Sequence, residues 1–163
     1  MKIEVIHDFP CSPDRFFDVI ESSELEAAIA RLSTSRREPL EERWDASILV
    51  RRWRITPSRE LPGVIRKLLG RQGLPYAQTS RVDRENRTID WTIDVARSAG
   101  RAQIGGVLQV EPTETGCRRM MRSEIRIRVP LVGSRVESAI AKDVRRTYER
   151  SHRLVLGLLP EIP

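Results

Sequence analysis

The sequence predicts an α+β fold: a curved seven-stranded antiparallel sheet wrapped around one long C-terminal helix, with two short helices after the first strand. Three observations predict it. Lys2 to Phe9, and then most of residues 37–128, alternate apolar and polar side chains with the period of two that marks half-buried strands. Short clusters of Gly, Pro, Asp, Asn and Ser separate those runs, as antiparallel hairpins require. From Val136 the apolar residues return at spacings of three and four over a segment long enough for about six helical turns.

The 163 residues, 39% hydrophobic and 32% charged, fit a single domain spanning 1–163 and exclude a disordered, a collagenous or a disulfide-dense chain. The net charge is +6, and 26 of the 29 cations are arginine, since only Lys2, Lys67 and Lys142 are lysine. Such a skew reads as a genome bias, and the cations spread along the chain rather than gathering on one recognition element, which argues against nucleic acid. Leu154 to Leu159 is far shorter than the ~20 residues of a membrane span. Glu4, His7 and Asp8 interrupt any signal-peptide core, so a cytoplasmic location is expected.

Element by element, Ile3, Val5, His7 and Phe9 share one face of the first strand, which Pro10 ends. Ser12-Pro13-Asp14 starts a helix with Ser as cap and Pro at the first helical position, carrying Phe16, Phe17, Val19 and Ile20. A second helix, capped by Ser22 or Ser23, carries Leu25, Ala28, Ile29 and Leu32 as its apolar stripe. Arg37–Asp45 and Ile48–Thr56 flank an Ala46-Ser47 loop, with Leu40 expected opposite Trp53, Trp44 opposite Leu49, Glu42 opposite Arg51 and Glu41 opposite Arg52. A short helical piece is expected at 63–69.

Loops at Asp83–Asn86, Ala99-Gly100 and Thr113–Gly116 then register the remaining strands. Tyr76, Gln78 and Ser80 are set opposite Ile93, Trp91 and Ile89. Val95, Ile93, Trp91 and Ile89 are set opposite Ile104, Gly106, Leu108 and Val110, and these last four opposite Ile125, Ser123, Met121 and Arg119. Gly105 and Gly106, in mid-strand, suggest a bulge or bend. Val136, Ile140, Val144, Tyr148, Ser151, Val155 and Leu159 form the stripe of the last helix.

The opening strand running into Ser12-Pro13-Asp14-Arg15-Phe16-Phe17-Asp18-Val19-Ile20, the long meander, and Val129-Pro130-Leu131-Val132-Gly133-Ser134-Arg135-Val136-Glu137 before the last helix resemble the START/SRPBCC helix-grip superfamily over essentially the whole chain. That superfamily includes lipid-transfer domains and polyketide cyclases, and within it the chain is most similar to an uncharacterised bacterial group. The resemblance implies the fold and an internal cavity. It implies no catalytic motif.

On this reading Trp44, Trp53, Tyr76, Trp91, Ile104, Leu108, Met121 and Tyr148 wall a cavity for a hydrophobic or amphipathic small molecule, lipid or polyketide-like. Arg51, Gln78, Arg119 and Ser123 meet its polar end. The bland alternative is that the apolar members are plain core and that Glu42, Arg51 and Arg119 reach water at strand ends. If turned inward, Arg51 or Arg119 could take a ligand carboxylate or phosphate, with Glu42 positioning the cation.

A cyclase- or dehydratase-type enzyme using His7 or Tyr76, or His152 beside Ser151, is a second possibility. An anionic-surface or nucleic-acid binder using the arginines of 118–128 is a third. Asp90 and Asp94 fall on the outer face and are expected to be solvated. Cys11 stands before a helix start, which would lower its pKa if it were exposed. Cys11, Cys117, His7 and His152 match no zinc spacing, so neither a metal nor any other cofactor is expected. The sequence leaves the oligomeric state open.

Overall fold

The computed structural model describes residues 1–32, 35–57, 75–95 and 100–160. β1 (Lys2–Phe9) alternates exposed and buried side chains without a break. α1 (Pro13–Ile20) begins where the Ser12 hydroxyl accepts the Arg15 N–H at 3.2 Å and Pro13 sits at the first helical position. It buries Phe16, Phe17 and Val19, each contributing about 1.5–3 kcal/mol by leaving water. α2 (Ser23–Leu32) starts at Ser22, whose hydroxyl accepts the Leu25 N–H at 3.2 Å. Then come β2 (Ser35–Asp45), β3 (Ile48–Pro57), β4 (Tyr76–Asp83), β5 (Thr88–Val95), β6 (Ala102–Thr113), β7 (Gly116–Ile127) and α3 (Gly133–Leu158). The sheet is antiparallel in the order β1-β7-β6-β5-β4-β3-β2.

The β6–β7 register is the expected one, with Ile104, Gly106, Leu108 and Val110 opposite Ile125, Ser123, Met121 and Arg119. Two other registers are corrected by two residues. Tyr76, Gln78 and Ser80 face Val95, Ile93 and Trp91, because the hairpin closes at Asp83–Thr88, where an Asp83 carboxylate oxygen accepts the Asn86 N–H at 3.0 Å. Ile93, Trp91 and Ile89 face Ile104, Gly106 and Leu108. A two-residue slip keeps every side chain on its face, so the inward set is unchanged.

In β2, Trp44 opposes Leu49, Glu42 opposes Arg51 and Glu41 opposes Arg52, as expected, but an irregularity between Pro39 and Glu41 places Pro39, not Leu40, opposite Trp53. Gly105 and Gly106 make no bulge, since both flanking ladders run through them without a shift. Their role is close approach: a Cβ on Gly106 would lie 2.9 Å from Trp91 Cζ2 and 2.5 Å from the Arg122 carbonyl oxygen. The expected turn at Ala99 and the helical piece at 63–69 lie outside the described residues.

α3 packs on β7 and β1 and on α1 and α2. Polar ties to β1 reinforce it: Arg145 donates to the Glu4 carbonyl at 3.0 Å, and His152 meets that of Asp8 at 3.2 Å. One apolar cluster gathers Phe9, Phe16, Phe17, Val19, Leu25 and Val155; a second gathers Ile3, Val5, Trp91, Ile104, Met121 and Ile125. Tyr148 packs against both. No helix among the described residues is long and apolar enough to cross a membrane.

Candidate functional site

The ladders set the inward side chains in rows across the sheet. One row runs Arg51, Ser80, Trp91, Gly106, Ser123; the next runs Trp53, Gln78, Ile93, Ile104, Ile125. Where α3 covers the sheet the rows are closed: Ile104, Leu108, Met121, Ser123 and Ile125 are buried. Ser123 is also satisfied, donating to the Gly105 carbonyl at 2.8 Å. On β3 to β5 the same rows stay partly open, at Trp53, Tyr76, Gln78, Ser80 and Ile93.

The expected site residues therefore divide. Trp53, Tyr76 and Gln78 lie on the half-open side with Tyr148 at its margin, whereas Trp91, Ile104, Leu108, Met121 and Ser123 lie in packed core. Trp44 is 64% exposed on the edge strand. Arg51 pairs with Glu42 at 2.8 Å, and the glutamate is mostly in water.

Arg37 was not foreseen. It ion-pairs with Glu26 of α2 at 3.3 Å, and its guanidinium carbon lies 5.1 Å from the centre of the Trp53 ring. The β2 irregularity pairs it with Ile55 of the inward set, and a strand read without that extra residue would put it on the outer face. Burial, with Asp143 opposite, raises the Tyr76 hydroxyl above its ordinary pKa.

Deeper in, a polar cluster joins β1, β7 and α3. Arg119 is 2% exposed and has no carboxylate partner among the described residues. Its Nη2 donates to His7 Nδ1 at 2.8 Å and to the Tyr148 carbonyl at 3.1 Å, and its Nη1 donates to the Ser151 hydroxyl at 3.1 Å. Its Nε–H is buried without an acceptor, as is the indole N–H of Trp91. The guanidinium lies between the Phe9 and Tyr148 rings, 5.2 and 5.1 Å from their centres. Burial lowers its pKa to about 10, so it is a cation at neutral pH. Burial also pushes the Tyr148 hydroxyl up to about 12, against the opposing charge of Arg119.

Because an arginine only donates, His7 Nδ1 must be the acceptor, and its proton sits on Nε2, which donates to Glu149 Oε1 at 3.1 Å. Burial, and next the Arg119 charge, holds the imidazole below its ordinary pKa. The His152 ring stacks on it at 4.3 Å.

His7, Glu149 and His152 bring one ligand atom each within 4.8 Å of one another. The donor set does not suit a cation. The His7 lone pair is turned to Arg119 and its N–H to the would-be metal, the reverse of a metal-bound imidazole, and a guanidinium stands behind it.

The condition set for Cys11, exposure at the helix start, is not met. Both cysteines are free, and they lie beside each other. Burial raises the pKa of Cys11 and pushes that of Cys117 to about 12.

The remaining arginines of β7 lie on its outer face in pairs: Arg118 with Asp8, Arg122 with Glu4 and Arg126 with Glu124, all at 2.7 Å. A broad depression of about 1050 Å³ lies there over Thr92, Asp94, Gln103 and Gly105. Asp90 and Asp94 are exposed, as expected.

Residues 4–159 match the model of the family described as Protein of unknown function (DUF2505). The chain belongs to that family. A search of curated proteins finds no match. Among solved structures, the Zhui aromatase/cyclase from Streptomyces sp. R1128 is 13% identical with a TM-score of 0.66, covering 98% of this chain and 93% of that one. Ara h 8.0201 is 12% identical with a TM-score of 0.67, covering 99% of each chain. TTHA0849 from Thermus thermophilus is 15% identical with a TM-score of 0.64, covering 96% of this chain and 98% of that one. At such identities the likeness establishes the fold, so this DUF2505 member has the helix-grip fold.

Proposed function

We propose that the protein binds a hydrophobic or amphipathic small molecule between α3 and the β3–β5 half of its sheet. The observation that carries this reading is the unequal closure of the inward rows. Trp53, Tyr76, Gln78 and Ile93 point to the same side as the buried core of β6 and β7, yet remain partly open. Aromatic walls with a few polar groups suit an apolar body with a polar end. The likeness in fold to an aromatase/cyclase supports an interior used for ligands.

An enzyme using His7 as a base is less well supported, because both ring nitrogens are engaged by protein groups and the ring is buried. Tyr76, with its pKa raised, is a proton donor rather than a base at neutral pH.

The test is titration with the neutral fluorophore N-phenyl-1-naphthylamine. Saturable binding is expected, weakened roughly tenfold by Trp53→Ala or Tyr76→Ala, a loss in keeping with an aromatic contact of ~1.4 kcal/mol. Absence of saturable binding, or affinity untouched by both variants, overturns the reading.

A further inference from the structure

Arg119 is a fully buried cation whose three hydrogen-bond acceptors, His7 Nδ1, the Ser151 hydroxyl and the Tyr148 carbonyl, are all neutral. The nearest acid in the cluster, Glu149, stands on the far side of the His7 ring with its side chain 61% exposed. Water screens it there, so it offsets little of the cost of a desolvated guanidinium. A cation kept only to tie a helix to a sheet is ordinarily given a carboxylate, because an unpaired buried charge costs several kcal/mol.

Two further donors point the same way. Arg119 Nε–H and Trp91 Nε1–H are both buried without acceptors, and each residue is more than nine-tenths buried. Tyr148 joins them, with its ring against the guanidinium and its hydroxyl close to the Trp91 indole N–H without completing a hydrogen bond. It is also partly open and packs against both apolar clusters, at their junction. The corner thus holds one formal positive charge and two orphaned donors, and its nearest anion, Glu149, stands beyond the His7 ring and open to water.

Resting on the ligand-binding reading above, we propose that the ligand is a monoanionic amphiphile of the carboxylic acid class, its carboxylate seated at Tyr148 between Arg119 and the Trp91 indole N–H. A carboxylate supplies acceptors for both orphaned donors and the single negative charge that the corner lacks. Arg51 is not the anchor, because Glu42 already neutralises it at 2.8 Å. The apolar chain lies along Trp53, Tyr76 and Ile93.

Displacement of bound N-phenyl-1-naphthylamine by dodecanoate and by dodecanol, which differ only at the head, tests this at pH 8. Dodecanoate is expected to compete at a concentration roughly tenfold or more below that of dodecanol, the gain typical of a charge-assisted hydrogen bond. Arg119→Met is expected to abolish the difference while dodecanol still competes, and Arg119→Lys to keep part of it. If Arg119→Met does not fold, the wild-type comparison and Arg119→Lys still decide. Equal competition by acid and alcohol in the wild type overturns the carboxylate and leaves ligand binding standing. A preference for acid that survives in Arg119→Met removes Arg119 as its source. Failure of the probe and both chains to bind overturns both readings.

Discussion

Arg119 Nη2 and His7 Nδ1 meet at 2.8 Å in the buried wedge between the sheet and α3, although 112 residues separate them in the chain. The β1–β7 ladder makes them direct neighbours, and the helix closes over both. The contact fixes the imidazole as neutral with its proton on Nε2. That single assignment governs the cluster's response to mutation and to acid.

Removing the acceptor deprives a buried guanidinium of one of its partners. His7→Ala is expected to cost about 1.5–3 kcal/mol in urea-unfolding free energy, the range for a hydrogen bond to a charged group. Glu149→Gln keeps an acceptor for Nε2–H and is expected to leave the midpoint close to that of the wild type. A harmless His7→Ala would mean that the wedge does not depend on this contact.

Acid should act through the same residue. The folded pKa of His7 lies below the ordinary 6.5, so below that pH the unfolded chain takes up the proton first and stability falls with pH. The contribution is fully present above 6.5 and is lost as pH drops through the folded value, with a slope of up to about 1.4 kcal/mol per pH unit. Thermal unfolding between about pH 8 and 5 should show this slope, and His7→Asn should flatten it. An identical slope in the variant would assign the acid response to other groups.

Gly106 gives a packing test with an internal control. Gly106→Ala would set its Cβ 2.5 Å from the Arg122 carbonyl oxygen, a backbone atom, and is expected to destabilise by about 1–3 kcal/mol. Gly157→Ala, in α3 with nothing within 4 Å, is expected to stabilise by about 0.5–1 kcal/mol. Chemical denaturation of both variants checks the contrast in sign.

The arginines of β7 are expected to support no strong surface binding. Arg118, Arg122 and Arg126 each face a carboxylate at 2.7 Å, so the strand carries ion pairs instead of a free basic stripe. The protein should elute from heparin at low salt. Salt-resistant retention would restore the anionic-surface alternative.

The thiols should be slow. With Cys117 fully buried and both pKa values raised, alkylation by iodoacetamide at about pH 7 is expected to run well below the rate of free cysteine. Rapid modification of Cys11 in the native protein would contradict its half-buried environment.

The sequence by itself determined where the helices begin and which face each strand turns inward, the first half of β2 excepted. Both are local, period-based properties: Ser12 caps where it should, and Trp53, Gln78, Trp91, Met121 and Arg119 lie on the inward register as their alternation requires. Only the tertiary structure decided what each inward position meets. Two ladders slipped by two residues without changing a face, because turn chemistry and not periodicity sets the offset. One irregularity in β2 paired Arg37 with the inward Ile55 and uncoupled Leu40 from Trp53, and alternation alone carries no sign of it. Trp44 is exposed and Met121 is buried for the same reason: α3 covers β7 and β1, and β2 lies at the opposite edge of the sheet. The grouping of Arg119 with His7, Tyr148 and Ser151 joins β7 and α3 to β1 at the other end of the chain, so a cation that the sequence could place only on a face became a buried charge with no anion beside it.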